Sequence, residues 1–310
     1  VMRHHLRPDR LQDARVIPVL PTKHADMPDL RETQTHYVIT GDCFRYQFSK
    51  ATGLLDSLQL NGREMFCEPM AYNIWRAPTD NDQHIRVKWE AAGYNEAQTK
   101  VYETAASVTS NSVTVTSKAS LAAVYREKIA EIGTAFTVDA QGGIDVALDV
   151  HKNAEMPFLP RFGLRMFLQK DCCKAEYYGF GPTQSYSDKH YGTRLGRYQT
   201  TARDNHEDTI KPQENGSHFN CDYVKVTDAK GAGICAYAQQ PFSMNLSPYT
   251  QEELTEKKHS FELVESNCTV LCLDYKQSGL GSESCGPQLL DKYRFSETEF
   301  TFRLHMHPTA

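Results

Sequence analysis

An all-β fold is predicted: a large antiparallel sandwich. Three observations carry that expectation. From residue 36 onward apolar and polar residues alternate with a period of two, broken by turn residues. Well over ten such segments follow one another with no helix–strand alternation of the α/β kind. No repeat period of the propeller type is present. Sheets with one apolar face each bury it by stacking ~10 Å apart.

In chain order, Phe44, Tyr46 and Phe48 alternate with Arg45 and Gln47, and Thr52-Gly53 turns the chain. Leu58 and Leu60 lead into Asn61-Gly62, a hairpin signal because both residues tolerate positive φ. Val113 and Val115 alternate with threonines after Asn111-Ser112. Phe136 and Val138 face Ile144, Val146, Leu148 and Val150 across Gly142-Gly143. Phe162, Leu164, Met166 and Leu168 make another strand, as do Val224–Val226 and Ile234–Tyr237 around Lys230-Gly231. Phe261–Val264 and Thr269–Leu273 read as strands around Asn267, and Phe300, Phe302, Leu304 and Met306 as the last. Two short helices fit. One spans 83–92, with Asp82 as N-cap and Gly93 as the left-handed stop. The other spans 251–258, where Thr250 and Glu253 make a capping box. Leu121 to Ile132 has helical spacing between strand-like neighbours and is taken as strand.

Composition limits the function classes. The 310 residues hold 34 Lys+Arg against 39 Asp+Glu, a formal net charge of -5, which disfavours a polyanion binder. Mean hydropathy is -0.56, and no apolar run approaches the ~18 residues of a membrane span. The nine cysteines form no C-x-x-C pair, and a chain of this length can build a core without staples, so they read as mostly free thiols of a reducing compartment. Residues 1–30, with Pro8, Pro18, Pro21 and Pro28, read as an arm or linker from a preceding domain, and 31–308 as the folded domain. The chain starts at Val1 and shows no apolar signal-peptide core. The expected location is cytoplasmic, or periplasmic if the full-length protein carries a signal peptide.

No nucleophile, phosphate-loop or metalloprotease motif is present. His305-x-His307 puts two imidazoles on one strand face. A metal pair is conceivable there, but no third ligand is indicated, and two solvated strand-edge histidines explain the pattern. Three polar, glycine- and aromatic-rich stretches stand out. Trp75–Asp82 offers Arg76 as a fork of donors and Asp80, Asn81 and Asp82 as acceptors, the mixture that sugar hydroxyls need. The same residues serve turns and caps equally well. Tyr177–Tyr186, followed by Asp188-Lys189-His190, is either a binding platform or a buried aromatic corner. Gly279–Pro287 permits close backbone approach to a ligand, and also any tight turn.

Taken in order, Trp75–Asp82, Trp89–Gly93, Tyr178–Pro182, Pro212–Gly216 and Gly279–Pro287 resemble, from about residue 27 to 308, the C-terminal, small-chain domain of the lacZ-type family 2 β-galactosidases. The resemblance implies a β-supersandwich similar to galactose mutarotase. It also implies a division of labour. In the family a TIM-barrel domain carries two catalytic glutamates for retaining hydrolysis of β-galactosides such as lactose. The C-terminal domain lends loops to the pocket rim. By that resemblance the rim residues here are Arg76, Asp80, Asn81, Asp82, Ser284 and Cys285, with no catalytic residue in this chain. The family's Mg2+ and Na+ are expected mainly on the other domains, with no metal ligand here. Partners are then the galactoside and the barrel portion or large subunit, with neither nucleic acid nor membrane. Some members place a sugar-stacking tryptophan where this sequence has Cys285, and a thiol has no π-face. Only Gln83 to Lys88 separates Asp82 from the Trp89 motif, too short for a long gating loop.

Other readings stay open on the sequence. An aldose 1-epimerase needs a general acid and base, for which His151, His190 and His218 are candidates. A free-standing carbohydrate-binding module fits the aromatic stretch. A purely structural domain, burying one face against the barrel and neighbouring subunits, fits as well.

Overall fold

The computed structural model describes residues 26–309. The strands, in chain order, are β1 (Asp29–Glu32), β2 (His36–Thr40), β3 (Phe44–Ser49), β4 (Leu55–Leu60), β5 (Arg63–Glu64), β6 (Phe66–Asn73), β7 (Gln98–Val108), β8 (Ser112–Ala122) and β9 (Ala130–Asp139). They continue as β10 (Ile144–Lys152), β11 (Arg161–Gln169), β12 (Lys174–Gly181), β13 (Arg194–Thr201), β14 (Ser217–Thr227), β15 (Gly233–Ser247), β16 (Cys268–Gln277) and β17 (Glu299–Thr309). Two helices, α1 (Gln83–Ala91) and α2 (Gln251–Glu256), interrupt them. No helix among the described residues is long and apolar enough to cross a membrane. The expected arm, 1–30, lies mostly outside the described residues, and β1 already begins at Asp29.

β1 to β5 form one antiparallel sheet in sequence order. The remaining twelve strands form a second, much larger sheet. β15 is its hub. Residues 233–237 pair with β17, residues 243–247 pair with β16, and β14 runs along the other edge of both halves. From the first half the sheet continues through β17, β10, β9, β8 and β7, and from the second through β16, β11 and β6. The alternating residues of β3 explain why the small sheet covers the large one. Phe44, Tyr46 and Phe48 are buried, Phe48 meets Phe136 of β9 at 5.1 Å, and the Tyr46 hydroxyl donates to the Gly142 carbonyl at 2.7 Å. Val138 opposes Ile144 and Phe136 opposes Val146, the register expected across Gly142-Gly143.

Asn61 (φ 50°) and Gly62 (φ 80°) make the expected left-handed hairpin turn. α1 stops where Gly93 turns left-handed (φ 77°), and a Cβ there would meet the Ala123 Cβ at 2.4 Å. Thr250 caps α2, its hydroxyl accepting from the Glu253 amide at 3.1 Å. The Glu253 carboxylate, however, takes the Val264 amide instead of closing a capping box, and α2 ends at Glu256.

Three expectations need correction. Phe261–Val264 is not a strand: Phe261 and Glu262 belong to a 3-10 turn, Ser260–Glu262, and Leu263 and Val264 follow it. The Glu262 carboxylate accepts from the amides of Lys258 and His259, and Phe261 (83%) and Val264 (67%) are exposed, so no buried face sustains alternation. Leu121–Ile132 is two strand ends and a turn at Ala123–Arg126, because Leu121, Ile129 and Ile132 are buried while Val124 and Tyr125 point to solvent. Seven cysteines are free as expected, but Cys67 and Cys268 form a disulfide between β6 and β16.

That bridge closes a loop of 201 residues in sequence separation, and such cross-links stabilise by about 2–4 kcal/mol. Urea titrations with and without reductant should differ by that amount, and Cys67→Ser should match the reduced protein. Identical midpoints would mean that the bridge contributes nothing.

Candidate functional site

The segment after β6 explains why the site has its shape. Ile74 to Thr79 is extended and buried throughout, unusual for a connecting segment. Burying backbone there requires partners for its polar groups, and Arg76 organises them. Its guanidinium is fully buried. Nη2 and Nε donate to the Asp82 carboxylate at 2.7 and 3.1 Å. Nη1 donates to the Ser278 carbonyl at 2.6 Å and Nη2 also to Gly279 at 3.0 Å. Burial disfavours the charge on Arg76, but the facing Asp82 more than offsets this, and the guanidinium stays protonated. Its planar face lies 5.4 Å from the Trp89 ring of α1.

Asp82 occupies the expected N-cap position of α1, yet its carboxylate does not cap that helix. It turns back, accepting from the Thr79 amide at 2.9 Å and hydroxyl at 3.1 Å. Asn81, half-buried, is the hinge to the last loop. Its Nδ2 donates to the Gly281 carbonyl at 2.9 Å, and its Oδ1 accepts from the Ser284 hydroxyl at 2.7 Å and amide at 3.2 Å. Asp80 is exposed, and its amide donates to the Gln213 side chain at 3.0 Å. Ser284 and Cys285 are exposed on the same loop. The six expected rim residues therefore divide into a buried pair, Arg76 and Asp82, and four that reach the surface.

The other two stretches join them. Asp188 accepts from the amides of Leu280 (2.9 Å) and Gly281 (2.7 Å), tying the aromatic stretch to the last loop. The Glu214 amide donates to the Ala77 carbonyl at 2.9 Å. Glu214 also accepts from Arg161 Nη1 at 3.0 Å, and Arg161 Nη2 donates to Asp274 at 2.5 Å. Burial opposes the charge on Arg161, but Asp274 and Glu214 hold it well above its ordinary range. Asp188 and Glu214 lie in stretches marked from the sequence but were not named there as rim residues, and Arg161 and Asp274 lie outside those stretches. Arg161 and Asp274 carried a signal: each is a charge directly beside an apolar strand residue, Phe162 and Leu273, and buried charges need partners.

A cavity of about 360 Å3 opens beside this cluster, lined by Asn81, Lys88, Phe158, Gly281, Glu283 and Arg294 among others. Among the described residues no group of three or more His, Cys, Asp or Glu is arranged to hold a metal ion. The cluster's buried carboxylates are already engaged by guanidinium groups, so they do not offer the open shell of oxygens that Mg2+ takes. His305 and His307 lie 5.9 Å apart, and His305 bonds Asp145 at 2.7 Å. Of the epimerase candidates, His151 is exposed beside Glu299 on the opposing strand. His190 stacks with Tyr191 at 4.6 Å. His218 is enclosed, with Asn205 Oδ1 2.7 Å from its Nε2, and burial pushes it down to about 4.

The family model described as "Beta galactosidase small chain" matches residues 40–306. A β-galactosidase of Actinobacillus pleuropneumoniae is 46% identical over 263 residues, 85% of this chain and 26% of that protein. One of Staphylococcus xylosus is 34% identical over 290 residues, 91% of this chain and 29% of that protein. The chain thus spans little more than a quarter of the length of these curated relatives. Among solved structures, the galactose 1-epimerase of Lactobacillus acidophilus aligns over 92% of this chain and 98% of its own at 7% identity, with a TM-score of 0.47.

Removing one partner from a buried ion pair costs about 3–5 kcal/mol, because the other is left uncompensated. Arg76→Met should lose that much in urea unfolding. Arg76→Met with Asp82→Leu should recover part of the loss, the Thr79 amide and hydroxyl being left without their acceptor. A double variant no better than the single one would contradict the pairing.

Proposed function

The chain belongs to the β-galactosidase small-chain family, and on that premise we propose that it is a non-catalytic part of a β-galactosidase that contributes the rim of the substrate pocket. The observation that carries this reading is that one buried arginine ties the first stretch to the last, that Asn81 joins the same two at the surface, and that Asp188 and Glu214 fasten the other two stretches to them. Asp80, Asn81, Ser284 and Cys285 are the residues proposed to face the galactoside. Arg76 and Asp82 serve the rim from beneath: every donor and acceptor of theirs named above is spent on the fold, so their role is positioning.

Hydrolysis is assigned to the portion of the enzyme beyond this chain. A retaining mechanism needs an acid/base and a nucleophile about 5–5.5 Å apart. Here the buried carboxylates pair with arginines instead of standing free for a substrate. The family's Mg2+ and Na+ are likewise proposed to sit mainly on that other portion, as are the partner contacts. A pocket completed only on assembly explains why the rim is built so rigidly: a small misplacement of positioning groups costs catalysis steeply.

Two outcomes are expected. The purified 310-residue chain hydrolyses no β-galactoside, and robust turnover by it alone would contradict the reading. In the enzyme reassembled with its catalytic portion, Asn81→Ala lowers kcat/KM for lactose by roughly tenfold. An unchanged kcat/KM would remove the loop from the pocket.

A further inference from the structure

A second cleft lies in the large sheet, where β15 leaves β17 and crosses to β16. The ladder from β15 to β17 ends at the pair Tyr237–His305, and the ladder from β15 to β16 begins only at Ser243–Asp274. Between them, residues 238–241 of β15 pair with neither β16 nor β17. Among the described residues, the edge of β17 from Glu299 to Leu304 that faces away from β10 pairs with no strand, and neither do Tyr275 to Gln277 on the β15 side of β16. The sheet therefore splits into a V, and a cleft of about 670 Å3 runs from the opening across β17 onto β10 and β9, its lining including Ala147 and Ala135. That size lies within the ~300–1,000 Å3 of small-molecule sites.

Its chemistry differs from that of the loop cluster. There the polar side chains are largely spent on the fold. Here Arg303, Gln239 and Gln240 are exposed, line the cleft, and make no side-chain hydrogen bond or ion pair among the described residues. A guanidinium offers five donors and an amide both donors and acceptors, a set suited to vicinal hydroxyls. Two tyrosines, Tyr237 and Tyr275, supply aromatic surface in the same cleft. Asp145 lines it too, but its carboxylate is taken by His305 at 2.7 Å, which leaves the amides as the main unengaged acceptors. Unspent amides, one unpaired guanidinium, aromatic rings and open backbone edges together describe a site for a neutral, hydroxyl-rich ligand.

We propose that this cleft is a binding site for a neutral oligosaccharide, separate from the pocket rim. It depends on neither the assembly nor the hydrolytic role of the chain. Arg303 and Gln240 bond the hydroxyls, and the tyrosines cover the pyranose faces.

The test is calorimetric titration of the purified 310-residue chain with lactose, cellotriose and tri-galacturonate. Saturable binding of a neutral sugar in the millimolar range or tighter is expected. Arg303→Ala and Gln240→Ala should each weaken it by about tenfold, with the circular dichroism of both variants unchanged, since both side chains are exposed. Asn81→Ala, on the rim, should leave it intact. The proposal is overturned if no neutral sugar binds, if only the acidic trimer binds, or if binding survives Arg303→Ala and disappears with Asn81→Ala. Failure here leaves the kcat/KM result for lactose in the reassembled enzyme untouched, so the two readings are judged separately.

Discussion

A single buried cation holds the candidate site together. Arg76 comes from the segment after β6, and the carbonyls it binds come from residues more than two hundred positions later, at the end of β16. A guanidinium without solvent must find carboxylate or carbonyl partners. That need fixes the buried path of residues 74–79 and draws the last loop onto it. Arg161 repeats the device one step further in, linking β11 to Asp274 of β16 and to Glu214 of the segment before β14. Such pairs add little net stability relative to an apolar core but penalise wrong arrangements heavily. Their value here is geometric, because they set where Asn81 and Ser284 meet at the surface.

The sheets supply the frame on which this works. β15 is long enough to serve both branches of the large sheet, and β11 and β16 meet the branch that carries the site. Gly163 shows how tightly that branch is built. A Cβ at this position would lie 2.0 Å from the Leu273 carbonyl oxygen and 2.6 Å from the Asp274 Cα. The bare backbone of β11 lets β16 approach and brings Asp274 within reach of Arg161. The same crossing of β15 that separates the branches opens the cleft beside Arg303.

Local information was legible in the sequence, and distant pairing was not. Period-two alternation and the Asn61-Gly62 and Gly142-Gly143 turns gave the all-β architecture, because each is decided within a few residues. Phe261–Val264 misled, since apolar residues at exposed positions imitate a strand that has no face to bury. The Cys67–Cys268 bridge joins residues whose proximity arises only when β6 and β16 flank β11. At the site, Asp80, Asn81 and Asp82 stand side by side in sequence and meet different fates: exposed, bridging and buried. Composition gave their chemistry, but the 3-10 turn that these three residues form, Asp80–Asp82, decides which way each side chain goes. Arg161 and Asp274 were marked by a charge directly beside Phe162 and Leu273, yet their partnership spans 113 residues.

If Arg76 orders the rim, its removal should release the last loop and leave the sheets intact. Amide hydrogen exchange of Leu280 and Gly281, both held by Asp188, tests this most directly. In the Arg76→Met chain their protection should fall toward that of a mobile loop, while amides in β9 and β10 stay protected. Unchanged protection at Leu280 and Gly281 would contradict the account, because the loop would then be ordered without the buried cation.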